Sequence, residues 1–166
     1  LRDSKILSLY EGTNGIQSMD LMGRKLTMEG GEPFRAFIAE LESFCDRNSG
    51  HHKLGTYVTS LAAVVQALND LAGKMRRALD QDPALWASTA HPALICYGEA
   101  VMVWRLLDLA LIAQNKIDKG DSSDFYKGKV MQATYFSDIT MPLLMARIDI
   151  AGNASRDVVE IPEGAF

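Results

Sequence analysis

The sequence reads as an all-α fold, an antiparallel up-and-down four-helix bundle preceded by an extra N-terminal helical segment. Apolar residues recur at helical spacing nearly everywhere, no run alternates with period two over a strand's length, and short polar turns separate long periodic stretches. The first helix starts just after "LSLYEGTNGIQ", where Thr13 or Asn14 can cap it and Gln17 stands three residues after Asn14, as in a capping box. Ile16, Met19 and Leu26 share one face of it, and Gly30 and Gly31 end it. Pro33 suits the first turn of a second helix, in which Phe34, Phe37, Ile38, Leu41, Phe44 and Cys45 form an apolar stripe; Asn48, Ser49 and Gly50 stop it.

The third helix is expected from about Thr56 to Leu79, with Leu61, Val64, Val65, Leu68, Leu71, Met75 and Leu79 on its buried side and a polar, small-residue face opposite. After a break at "DQDP", a fourth helix is predicted to begin between Trp86 and Pro92 and to run to Ile117. It is apolar on most sides, as a central element should be. "DKGDSSD" is the next turn, with Ser123 or Asp124 as cap, and a fifth helix continues to Ala151, before Gly152 and Asn153. Pro142 should kink it. The bundle is therefore placed at 33–151. Residues 1–30 form a separate section, joined to an appended helical domain, 31–166, through a flexible "EGGE" stretch. The tail "VVEIPEGAF" is too short to assign.

A chain of 166 residues can bury roughly 70% of its unfolded surface and needs no disulfide or metal staple. The formal charge of −4, with scattered lysines and arginines, gives no basic stripe and so excludes a nucleic-acid partner. Cys45 and Cys96 both fall in apolar helical patterns and read as buried thiols of a reducing, cytoplasmic compartment. The longest apolar stretch, "AVMVWRLLDLALIA", is broken by Arg105 and Asp108, so no membrane span is expected and the protein should be soluble. The opening at Leu1, with neither a basic start nor an apolar signal core, is what a piece of a longer polypeptide would show.

Chemistry-bearing groups are few. His51 and His52 are adjacent, with no Glu or Cys at ligand spacing, and read as a solvated loop pair; His91, before Pro92, reads as a helix-start residue. No metal site is expected. No Cys or Ser stands with a histidine in a nucleophile–base pattern, and Gly12 and Gly15 do not make a dinucleotide-binding loop. Met19, Met22, Met75, Met102, Met131 and Met145 fall at helical spacings and are expected to fill core gaps. Glu11 is left. It is either a carboxylate that favours the positive end of a helix dipole, or a desolvated general base between Leu9, Tyr10 and Ile16. Spacing alone does not separate the two.

The run "RDSKILSLYEGTNGIQSMDLMGRKL" resembles the C-terminal catalytic segment of the acyl-CoA dehydrogenases, where Arg-Asp, Tyr-Glu-Gly-Thr and Ile-Gln come in this order. The "YEGTNGIQ" variant, the long helices after it and the ending "EIPEGAF" are similar to the larger subgroup that includes 3-methylmercaptopropionyl-CoA dehydrogenase. The resemblance implies that Glu11 removes the α proton of an acyl-CoA thioester while the β hydrogen leaves as hydride to FAD, giving the trans-2-enoyl-CoA. It further implies that the backbone N–H of Glu11 helps to hold the thioester oxygen, that Tyr10 lines the acyl pocket, and that Thr13 lies at the flavin. Many relatives carry Ser then Gln or Glu after the threonine; here Asn14 and Gly15 stand there and take no role. Gln17 matches the Ile-Gln pair without an assigned contact.

The parent is then an FAD-dependent oxidoreductase, homo-oligomeric, acting on an acyl-CoA and passing electrons to an electron-transferring flavoprotein. This chain, lacking the other domains that build the pocket, is expected to be inactive alone. The alternative is a non-catalytic helical module for oligomerisation or partner binding, in which Tyr135, Phe136 and Trp104 line an exposed patch.

Overall fold

The computed structural model describes residues 13–165, and every element among them is helical. In chain order these are α1 (Asn14–Met19), a π-helical turn (Asp20–Lys25), a 3-10 turn (Met28–Gly31), α2 (Glu32–Asn48), α3 (Gly55–Gln81), α4 (Pro83–Asp118), α5 (Asp124–Gly152), α6 (Asp157–Glu160) and a last 3-10 turn (Glu163–Ala165). α3 packs against α2, α4 and α5, and α4 and α5 form the most extensive pairing. Leu61, Val64, Leu68, Ala100, Val103, Leu107 and Leu144 are completely inaccessible at the centre of a single apolar core.

The predicted stripes of α2 and α3 are the buried ones: Ile38, Leu41, Phe44 and Cys45 in the former, Leu61 through Met75 in the latter. Long-range contacts tie the elements end to end. Phe34 meets Tyr97 edge-on and Phe44 meets Trp104 in the same way. The Tyr97 hydroxyl donates to the Leu68 carbonyl at 2.8 Å, and Arg147 of α5 pairs with Glu99 of α4. Ser123 caps α5 through its hydroxyl, which accepts from the Phe125 N–H.

Four expectations are corrected. α4 begins at Pro83, not between Trp86 and Pro92, because the Asp82 carboxylate accepts from the Leu85 N–H and starts the helix directly after α3. One residue therefore makes the whole turn, and Pro92 and His91 lie inside α4. No capping box forms at Asn14: Thr13 occupies the cap position, its side chain makes no capping bond, and its carbonyl accepts from the Gln17 N–H.

The first helix does not present Ile16, Met19 and Leu26 on one buried face. Ile16 and Met19 are 64% and 43% exposed and Leu26 only 2%, since the π turn adds a residue per hydrogen-bonded ring and rotates the later residues about the axis. The "EGGE" stretch, exposed at Glu29, Gly30 and Glu32, folds as the turn into α2. Gly31 is buried, Glu29, Gly30 and Gly31 all have left-handed φ (51°, 66° and 85°), and Arg35 donates to the Gly30 carbonyl.

The methionines are also split. Met22 and Met75 fill the core as expected, but Met19, Met102, Met131 and Met145 are exposed. The tail carries α6, and Arg156 just before it pairs with both Asp82 and Glu160.

Leu61→Ala should lower the unfolding free energy by about 2–5 kcal/mol, since the residue is fully enclosed. Glu40→Ala, on the exposed face of α2, should change it by less than about 0.5 kcal/mol. Denaturant melts read by circular dichroism decide; equal losses would mean that the core is placed wrongly.

Candidate functional site

Of the residues singled out in the sequence, Tyr10 and Glu11 lie outside the described residues. Thr13 is exposed at the mouth of α1, and its hydroxyl forms no capping bond. Asn14, Gly15, Ile16 and Gln17 are exposed beside it, while Ser18 is buried and donates to the Gly15 carbonyl at 2.7 Å. The front of the motif-bearing helix thus faces outward, polar and apolar groups alike.

Its rear is bolted down. Met22 and Leu26 are each 2% exposed within the main core, and Gly23 lies so close to Trp86 that a Cβ there would sit 3.2 Å from the indole ring. Arg76 donates to the Leu26 carbonyl at 3.3 Å, closing the end of the segment onto α3. Asp20 and Arg24 pair across one turn on the outer side, and that pairing holds the Asp20 carboxyl below its ordinary range. The π turn between these points has no signature in the sequence. Such insertions are common at functional positions.

Between this segment, α2 and α4 runs an apolar groove of about 520 Å³, lined by Leu21, Met22, Phe34, Phe37, Tyr97 and Met102 among others. Among the described residues Lys25 is its only charged lining residue, and burial pushes the Tyr97 phenol strongly upward. No carboxylate or histidine among the described residues lines it, and its walls can hold apolar matter. Cys45 and Cys96 offer no nucleophile either, since both are buried and burial pushes each thiol up to about 11.

The sequence offers no ligand at spacing from His51 and His52, but the fold brings Asp118 to them from the end of α4. One ligand atom from each of the three residues lies within 4.8 Å of the others, with His52 Nε2 at 3.4 Å from the Asp118 carboxylate. The two imidazoles stack at 4.6 Å. Their chemistry is set by His51, whose Nδ1 accepts from the backbone N–H groups of Lys53 and Leu54 ahead of α3. A neutral ring accepting there carries its proton on Nε2, which then has no lone pair for a cation. His51 is an α3 cap.

Relatives of known activity share this chain's sequence. Residues 37–162 match the family model described as "Acetyl-CoA dehydrogenase C-terminal like". The chain belongs to this family. Along its whole length it is 29% identical to the broad-specificity linear acyl-CoA dehydrogenase FadE5 of Mycobacterium tuberculosis, of which it covers 29%. It is 29% identical to a butyryl-CoA dehydrogenase of Syntrophomonas wolfei, with 99% of this chain and 28% of that protein aligned. Against 3-methylmercaptopropionyl-CoA dehydrogenase of Ruegeria pomeroyi the identity is 31%, over 82% of this chain and 23% of the relative. The chain therefore spans less than a third of the length of these relatives, and its family match is to a C-terminal segment of such dehydrogenases. Among the described residues no helix is long and apolar enough to cross a membrane.

Two measurements test the site's frame. Gly23→Val should cost about 1–3 kcal/mol and shift Trp86 fluorescence, because the branched side chain must displace the ring; unchanged stability and emission would remove the close contact.

The second concerns pH. Burial first, and then His52, lowers the His51 pKa from its ordinary 6.5. The unfolded chain therefore binds the proton more readily than the folded one. This contribution to stability is complete above about pH 6.5 and is lost as the pH falls from there through the lower folded value. His51→Asn keeps a capping acceptor that cannot titrate and should flatten this part of the profile relative to the parent chain, a difference readable from denaturant melts on either side of that pH.

Proposed function

We propose that residues 1–30 are the end of the catalytic helical domain of an FAD-dependent acyl-CoA dehydrogenase, and that 31–166 form its appended C-terminal helical bundle. The observation that carries this is the run from Arg2 to Leu26 with "YEGT" directly ahead of α1, in a chain whose family and relatives point the same way. An up-and-down arrangement of α2 to α5 is supported by the contacts between them. His52 before α3 reaches Asp118 at the end of α4, mid-helix Tyr97 reaches mid-helix Leu68, Arg147 late in α5 reaches Glu99 at the middle of α4, and Phe34 and Phe44 of α2 meet Tyr97 and Trp104 in the same order along α4.

In this reading Glu11 is the base. An α C–H is a weak acid, so the carboxylate needs a site from which water is excluded, and the thioester oxygen must be held by donors as it gains charge; the backbone N–H of Glu11 is one such donor. The Thr13 hydroxyl, exposed and free of a capping bond, fits a polar contact to the cofactor. When bound, FAD supplies the acceptor for the β hydride. Tyr10 lines the acyl side. The substrate is an acyl-CoA thioester, the product its trans-2-enoyl-CoA, and an electron-transferring flavoprotein takes the electrons onward. The enzyme is cytoplasmic and homo-oligomeric, and this chain alone is inactive because the remaining walls of the pocket belong to the rest of the parent.

A second role for the bundle is favoured by its surface. Met131, Tyr135, Ile139 and Leu143 repeat every four residues along α5, all exposed, with Ile150 beyond them. Phe136 and Trp104, by contrast, pack partly into the core. Such a ridge suits packing against the catalytic domains or a neighbouring subunit, so oligomerisation and catalysis are compatible.

In the longer polypeptide, Glu11→Gln should reduce acyl-CoA oxidation by several orders of magnitude while the protein stays yellow. Bleaching of the flavin by a panel of acyl-CoAs is the readout. A colourless parent that takes up no FAD, or a Glu11→Gln variant of normal activity, would overturn the assignment.

A further inference from the structure

A different part of the molecule carries its own chemistry. Between α3 and α5, away from the motif segment, lies an open groove of about 520 Å³ whose polar groups include Tyr57, Ser60, Ser137 and Asp138, against walls that include Met141 and Pro142. Among the described residues no lysine, arginine or histidine lines it. Its hydrogen bonds share one direction. Ser60 spends its proton on the Thr56 carbonyl at 3.0 Å, and Tyr57 spends its own on the Asp138 carboxylate at 3.4 Å, so both oxygens are left as acceptors. Pro142 has no N–H, so the Asp138 carbonyl four residues earlier lacks its helical donor. Ser137 is fully buried and its hydroxyl has no hydrogen-bond partner. Unpartnered buried polar groups are rare because each costs its desolvation.

We propose that this groove binds a cationic N–H donor on a short apolar stem, a guanidinium or primary ammonium group. The Asp138 carboxylate supplies the counter-charge, and the freed Asp138 carbonyl and the Ser60 and Tyr57 oxygens accept the remaining N–H groups. The thioether and proline walls take the stem. Guanidinium is the better match, since its several donors lie in one plane and can meet a carboxylate and a carbonyl together. A free organic cation and an arginine side chain of a polypeptide share this chemistry.

The test is a ¹⁵N-correlation titration of the 166-residue chain with n-butylguanidinium chloride, with n-butanol and sodium chloride as controls. Saturable shifts confined to 56–64 and 137–145 are expected. Asp138→Asn should weaken binding roughly tenfold or more, the loss of a charge-assisted hydrogen bond. Asp138 is exposed and the variant should keep its fold, which the same spectrum reports. Ser60→Ala, a second variant that preserves the charge and removes an exposed acceptor, should weaken binding by a smaller factor. N-acetyl-arginine methylamide, titrated in parallel, assigns the source. Tighter binding than n-butylguanidinium points to a polypeptide side chain, and weaker binding to a free ligand. Shifts that do not saturate, that n-butanol reproduces, or that Asp138→Asn leaves unchanged would overturn the proposal.

Discussion

The contact between Gly23 and Trp86 governs where the motif segment can be. A Cβ would meet the indole at 3.2 Å, so only glycine lets the helix backbone lie against the ring without displacing it. Met22 and Leu26, on either side of that contact, are then drawn into the same core as Leu71 and Met75. The left-handed run from Glu29 to Gly31 comes next, because the chain must leave the Trp86 contact and turn into α2 within a few residues; Arg76 and Arg35 satisfy carbonyls on each side of that bend. Thr13 and the residues before it are attached to a helix whose far end is fixed by packing rather than by a linker.

α4 has a different problem. It is apolar around its whole circumference, yet only one side of it is enclosed. Ala90, Ala93, Ala100, Val103, Leu107 and Ala110 are buried, and the small residues among them let α5 approach closely, while Ile95, Met102 and Leu109 recur every seventh residue on the exposed side. α5 shows the same two-sidedness. A helix apolar all round is normally enclosed all round. Two neighbouring helices with this property give the chain a surface suited to a further layer of protein, which accords with a sequence that covers less than a third of its relatives' length.

How far sequence predicts structure depends here on which residues decide each feature. α2 and α3 are legible because their stripes are one-sided, and α5 because Ser123 and Gly152 mark its ends. The start of α4 is not, since Asp82 looks like a loop residue until its carboxylate is seen to cap Leu85, and Pro92 offers a false start further on. The exposed methionines and the outer side of α4 are hidden for one reason: periodicity reports that a position is apolar, not which of two apolar faces is covered. Asp118 cannot be joined to His51 and His52 from spacing, because the fold and not the local sequence brings them together. Of the candidate site, the motif order is legible in full. Of its three assigned residues the described structure contains only Thr13, exposed at a helix mouth.

The anchoring of the motif helix has a mechanistic corollary. A base that removes a proton from carbon must be held to within a fraction of an ångström of its target, so the segment carrying it benefits from rigid attachment on the side away from the substrate. Here that attachment is made by α3 and α4 through Arg76, Trp86 and the core around Met22 and Leu26. The π turn then sets the rotation of α1 relative to this anchor, turning Ile16 and Met19 outward where a continuous α-helix would have kept them in phase with Leu26. By fixing the rear of the motif helix, the core around α3 and α4 also fixes where Thr13 stands, exposed at the helix mouth.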